Sequence, residues 1–140
     1  MKLAFDTSII IDIDRGKETT QKLMKNIVIE DHEIYISSVV VAEVLAGAYK
    51  QGKVEEAKKV LGQFQWIDMN GQTADKAGEI MADLLEKGER IEFQDTVIAA
   101  SAEGIDADRL VTRNRKHFNK IDFETETVNP EKLAQEIKDV

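Results

Sequence analysis

Three acidic residues stand where a charged side chain is out of place. Asp6 follows Leu3-Ala4-Phe5 and closely precedes three isoleucines, Glu43 lies inside Val39-Val40-Val41-Ala42-Glu43-Val44-Leu45, and Asp95 directly precedes Thr96-Val97-Ile98-Ala99-Ala100. An ionised carboxylate buried without a partner costs several kcal/mol, so each needs compensation. No Lys or Arg adjoins any of the three. If the fold brings them within about 4 Å, each pair repels by roughly 4 kcal/mol at an effective dielectric near 20, and a divalent cation reverses that sign. Sharing a proton also relieves a carboxylate pair, but three acids favour a metal. Structural alternatives stand beside this reading: Asp6 and Asp95 are both suited to capping a helix, and Glu43 to a structural ion pair. Thr7 and Ser8 are commoner as helix caps than as metal contacts.

The composition narrows the choice of metal. The chain has no cysteine and only two histidines, His32 and His117. A disulfide framework, a zinc-thiolate site and a thiol nucleophile are excluded, and a cation held mainly by oxygen is magnesium, manganese or calcium.

The elements that must position these acids follow from local patterning. Lys2 to Phe5 reads as a strand ending at Asp6, with a short helix after it. Lys17 to Asp31 carries Leu23, Ile27 and Val28 at amphipathic spacing, and Glu33 to Ile36 reads as a second strand. Ser37 and Ser38 suit a helix start, and Val39 to Tyr49 is apolar nearly all round, which predicts a buried helix with Glu43 facing inward. Gly52 breaks it; Val54, Ala57, Leu61 and Phe64 recur at helical spacing up to a short strand over Trp66 to Met69. Trp66 and Met69 read as structural. Asn70 is placed to cap a helix bearing Ala74, Ala77, Met81, Leu84 and Leu85 on one face and ending at Gly88. Asp95 opens another helix, closed near Gly104. Arg109 to Thr112 and Glu126 to Val128 read as strands, Phe118 as a core anchor, and Asn129-Pro130 as the start of a terminal helix. Strands alternating with helices imply a doubly wound, mostly parallel α/β sheet with helices on both faces, which binds ligands beyond the carboxyl ends of its strands.

At 140 residues the chain suits a single domain over 1–140, with 42% hydrophobic and 33% charged residues in a globular balance. Asp6 interrupts the only signal-like stretch, and no apolar run is long enough for a bilayer, so a cytoplasmic protein without membrane attachment is expected. The net charge of −8 opposes general nucleic-acid affinity, which comes from Lys and Arg releasing counterions. A local field can differ from that sum. Arg109 to Lys120 holds five Lys or Arg and no acid, and surrounds Asn114. It is either a phosphate-binding rim of Arg113, Arg115 and Lys116 or an ordinary solvated surface.

Four segments taken together carry a resemblance: Phe5-Asp6-Thr7-Ser8, Ser38 to Glu43, Asp95 to Ala102, and Leu110-Val111-Thr112-Arg113-Asn114 ending at Phe118. In this order and spacing the chain resembles, over nearly its whole length, the PIN-domain nucleases, and within them the VapC-type toxins of toxin-antitoxin pairs. The resemblance implies a Mg2+- or Mn2+-dependent endoribonuclease. Asp6, Glu43 and Asp95 would be its catalytic metal ligands, supported by the hydroxyls of Thr7, Ser8 and Thr112. Many relatives carry aspartate where this chain has Asn114, a neutral oxygen donor that binds metal less strongly and puts a second full metal site in question. An RNA substrate, a protein antitoxin and a homodimer are the implied partners. Two other functions compete: a non-catalytic RNA-binding or regulatory PIN module, which Asn114 favours, and a receiver-like phosphoacceptor, in which Glu43 has no obvious task.

Overall fold

A computed structural model describes residues 1–138. The chain runs β1 (Lys2–Phe5), α1 (Thr7–Asp14), α2 (Glu18–Ile29), β2 (Glu33–Ser37), α3 (Ser38–Gln51), α4 (Val54–Leu61), β3 (Gln65–Ile67), α5 (Gly71–Glu86), α6 (Phe93–Gly104), β4 (Arg109–Val111), α7 (Arg115–Phe118), β5 (Glu126–Val128) and α8 (Pro130–Lys138). All five strands are parallel, in the order β3-β2-β1-β4-β5. The alternating strand-helix pattern therefore does produce the doubly wound sheet.

Successive strand residues face opposite sides, yet Leu3, Ala4 and Phe5 are all buried, as are Leu110 and Val111. Both faces of the central strands are covered, as parallel sheets require. The chain steps outward one way from β1 to β3 and the other way through β4 to β5. Right-handed connections then place α1 to α4 on one face and α5 to α7 on the other. The packing largely follows this division: α1 meets α2, α3 and α4, while α6 meets α5 and α7 and also reaches α3. Buried side chains from both layers join in one core around Leu3, Phe5, Ile9, Ile36, Leu84, Val97, Leu110 and Phe118.

Several local signals act as expected. The Asn70 side chain accepts from the Thr73 N–H at 3.0 Å and caps α5. Gly88, at φ +69°, ends that helix; its N–H donates to Leu85 and the Glu89 N–H to Leu84, a Schellman closure that only a left-handed residue allows cheaply. Asn129 Oδ1 caps α8 through the Lys132 N–H at 2.7 Å.

Four expectations need correction. Helix α3 is not buried all round: Val40, Val41 and Ala48 are buried, whereas Ala42, Glu43, Ala46, Gly47 and Tyr49 are exposed, because the helix lies on the sheet's outer layer. On α5 the buried stripe is Thr73, Ala77, Ile80 and Leu84, and Leu85 projects into solvent, 100° away from Leu84 as helical geometry demands. Trp66 and Met69 are exposed because β3 is an edge strand, although the Trp66 indole N–H does bond the Leu61 carbonyl. Helix α6 starts at Phe93, which puts Asp95 in its first turn rather than at its opening.

Candidate metal and catalytic site

Strand β1 lies beside β4, and from these two neighbours the chain leaves in opposite directions across the sheet. Their carboxyl ends thus flank the switch point where open α/β sheets bind ligands. Asp6 follows β1, and Thr112, Arg113 and Asn114 follow β4. The Asp6 N–H donates to the Val111 carbonyl at 3.2 Å, and the Thr112 N–H to Val128 at 2.9 Å, so both segments leave the sheet from fixed positions.

Asp6 is 3% exposed. Its Oδ1 accepts from the Ser8 N–H at 3.0 Å and the Ser8 hydroxyl at 2.5 Å, and its Oδ2 accepts from the Thr112 hydroxyl at 2.5 Å. It does cap α1. Capping occupies Oδ1, whereas Oδ2 accepts from Thr112 and keeps a lone pair, so capping leaves Asp6 an oxygen able to take a ligand. The supporting hydroxyls are held in turn: Ser8 Oγ accepts from the Arg113 N–H at 3.0 Å and Thr112 Oγ1 from the Asn114 N–H at 2.9 Å. Thr7 donates its hydroxyl to Glu43 Oε1 at 3.0 Å and ties α1 to α3.

The three sequence-separated acids meet at one open cavity of about 330 Å³, lined by Asp6, Thr7, Ser8, Glu43, Asp95 and Asn114 together with Glu92, Gln94, Ile98 and His117. No Lys or Arg lines it. Burial is the largest influence raising the Asp6 carboxyl above its usual range, opposed by the hydrogen bonds from Ser8 and Thr112. Glu43 is exposed rather than inward-facing, yet partial loss of water is still the first cause of its raised pKa. The Thr7 hydrogen bond opposes the rise, and the charges of Asp6 and Glu92 add to it. Asp95 is pushed up to about 6, first by burial and then by Asp6 and Glu43, with His117 opposing. The His117 Nδ1 lies 3.5 Å from Asp95 Oδ2.

This donor set fits a hard divalent cation in chemistry: carboxylate and amide oxygens, excess negative charge, and no competing ammonium or guanidinium group. Among the described residues no three His, Asp or Glu side chains already stand at ligand distances. Mutual repulsion, which adds to burial in raising Glu43 and Asp95, is the interaction that a cation would reverse.

Two titratable residues at the cavity, Glu92 and His117, escape sequence reading, as does Gln94. Glu92 precedes Asp95 by three positions and His117 follows Asn114 by three, so each is one helical turn from a recognised residue. The basic rim is more divided than its sequence suggests. Arg113 is engaged structurally, its Nε donating to Asp12 at 2.7 Å and its Nη1 to both oxygens of Glu131 at 2.7 and 2.8 Å. Arg115 is exposed and reaches Thr127 at 3.4 Å, and Lys116 is exposed.

A family model for the PIN domain matches residues 3–124. The chain is 30% identical over 118 residues to Ribonuclease VapC19 of Mycobacterium tuberculosis, an alignment covering 84% of this chain and 92% of that protein. Among solved structures it resembles VapBC2 from Rickettsia felis bound to a promoter DNA fragment (28% identity, 92% of this chain and 98% of the other, TM-score 0.79). It also resembles a toxin-antitoxin complex from Klebsiella pneumoniae (26% identity, 91% and 97%, TM-score 0.69). The acidic cavity at the β1–β4 switch point thus sits within the segment the family model spans, and the chain belongs to the PIN-domain family.

Proposed function

We propose that residues 1–140 act as one PIN-like domain, a Mg2+- or Mn2+-dependent endoribonuclease that is the toxin of a toxin-antitoxin pair and works in the cytoplasm. The observation that carries this reading is the meeting of Asp6, Glu43 and Asp95 at one cavity. Asp6, Glu43 and Asp95 would hold the cation, with Asn114 contributing a neutral oxygen. The bound cation supplies stabilisation of charge on the scissile phosphate and acidifies the attacking water. Thr7, Ser8 and Thr112 orient the carboxylates by donating hydroxyl hydrogens to them. Glu43 and Asp95 are the acids placed to orient a water and accept its proton, since Asp6 is the one most fully engaged by hydrogen bonds. Arg115 and Lys116 remain free to contact RNA; Arg113 would do so only by leaving its two acids.

A groove of about 290 Å³ between α1, α3 and α4 supports a protein partner. It is lined by Ile10, Ile11, Val44, Ala48 and Val60 together with Asp14, Arg15 and Lys53, and shares Thr7 and Glu43 with the acidic cavity. An antitoxin lying there would reach the site; a second copy of the chain is the other candidate for the exposed apolar residues. Among the described residues no helix is long and apolar enough to cross a membrane.

Asp6→Asn, Glu43→Gln and Asp95→Asn should each lower metal-dependent RNA cleavage by at least about a hundredfold, beyond what loss of an outer partner costs, with circular dichroism unchanged. Cleavage retained in all three would sink the site. A folded wild-type chain that binds RNA but never cleaves it with either metal would favour the non-catalytic module.

A further inference from the structure

The acidic cavity opens on two unlike flanks. One is the groove of mixed lining on α1, α3 and α4. The other is a second cavity of about 400 Å³, lined by Arg90, Ile91, Glu92, Asp95, His117 and Lys120, which shares Glu92, Asp95 and His117 with the acidic one. We propose that Arg90 and Lys120 form a phosphate subsite on this flank, taking the backbone phosphate next to the scissile one. The proposal deepens the ribonuclease reading and rests on it.

An acidic site presents a polyanion with repulsion on approach, so a substrate needs cations beside the carboxylates rather than elsewhere on the surface. Arg90 and Lys120 are the Lys and Arg side chains whose cavity is also lined by Asp95. Arg115 and Lys116 line neither cavity, and Arg113 is held by Asp12 and Glu131. Arg90 is exposed and has no ion pair among the described residues. Lys120 lies 3.3 Å from Glu89, with both side chains more than two-fifths exposed; such a pair is weak, and a phosphate can take the place of Glu89. Arg90 is positioned by the Schellman closure of α5, because Gly88 and Glu89 turn the chain back two residues before it. Lys120 is positioned by the turn after α7, where the Ile121 N–H bonds the Phe118 carbonyl and Phe118 is buried in the core. Both cations therefore hang from anchored backbone and line one opening. The groove on α1, α3 and α4 also holds two cations, Arg15 and Lys53, but it shares Glu43 rather than Asp95 with the acidic cavity and sets them among Ile10, Ile11, Val44, Ala48, Ala57 and Val60, a lining suited to protein.

The test uses the full chain and a short single-stranded RNA, with binding measured across salt concentrations in the presence of a chelator, and Mn2+ affinity and RNA cleavage measured separately. In R90Q/K120Q the slope of log affinity against log salt should flatten by about 1.4, since each phosphate contact on a single strand contributes about 0.7. RNA affinity at low salt should fall about tenfold, with Mn2+ affinity nearly unchanged. The charge-preserving pair R90K/K120R should keep most of the slope, and K25Q, an exposed lysine on α2 that lines neither cavity, should leave it nearly unchanged. If the wild type cleaves RNA and Asp95→Asn does not, but R90Q/K120Q keeps the wild-type affinity and slope, the subsite is overturned and the ribonuclease reading survives. If the wild type neither binds nor cleaves RNA, both fall.

Discussion

Asp95 shows most directly how the site opposes the stability of the chain that builds it. Its carboxyl titrates near 3.8 when unperturbed and near 6 in the folded protein, chiefly through burial, with the Asp6 and Glu43 charges adding. Between those values the folded chain holds a proton that the unfolded chain has released. The associated stability is therefore fully present below about pH 3.8 and is lost as pH rises through 6. At neutral pH the ionised group destabilises the metal-free fold. Asp95→Asn should accordingly raise the metal-free melting temperature at pH 7 by up to about 9 °C, and by about half as much at pH 5, while cleavage is lost. Thermal unfolding of both proteins at the two pH values checks this, and equal shifts at both would mean that the Asp95 charge is not the source.

Among the elements, α1, α8 and the segment after β4 are joined by a single side chain. Arg113 bonds Asp12 on α1 and Glu131 on α8, and its own N–H bonds the Ser8 hydroxyl that in turn donates to Asp6. Charge-assisted hydrogen bonds of this kind, only partly exposed, hold strands and helices in register more than they attract ligands. Arg113→Gln should cost about 1 to 3 kcal/mol in urea unfolding while leaving the salt dependence of RNA binding unchanged. A flattened salt slope with unchanged stability would return Arg113 to the phosphate-binding surface. This brace was hidden in the sequence, where Arg113 reads as one of several neighbouring cations; its partners stand 101 and 18 positions away.

For the whole molecule, the gathered acids link metal binding to folding. A cation that binds only the folded chain stabilises it by about 2.7 kcal/mol at a hundred times its dissociation constant, or roughly 8 °C for a chain of this size. The carboxyls must be ionised to bind, so Mn2+ should raise the melting temperature strongly at pH 7 and weakly at pH 5. A variant combining Asp6→Asn, Glu43→Gln and Asp95→Asn should show no shift at either pH. A shift that survives in the triple variant would locate the metal elsewhere.

The sequence alone determined the order of strands and helices apart from the short α7, the capping by Asn70 and Asn129, the stop at Gly88 and the acids worth watching. Each of these depends on residues within about one or two helical turns, where propensity, capping and periodicity act. Three acids 37 and 52 positions apart declared themselves by being charged in apolar segments, a signal that needs no knowledge of their partners. What only the tertiary structure decided concerns partners. Trp66 is exposed because β3 falls at a sheet edge, Glu43 lies in solvent at a cavity because α3 covers an outer layer, and Arg113 is neutralised by Asp12 and Glu131. Arg90 and Lys120 come to one opening although 30 residues separate them. Such pairings are set by which faces pack together, and the free energy of packing is a property of the assembled layers that no local stretch of chain contains.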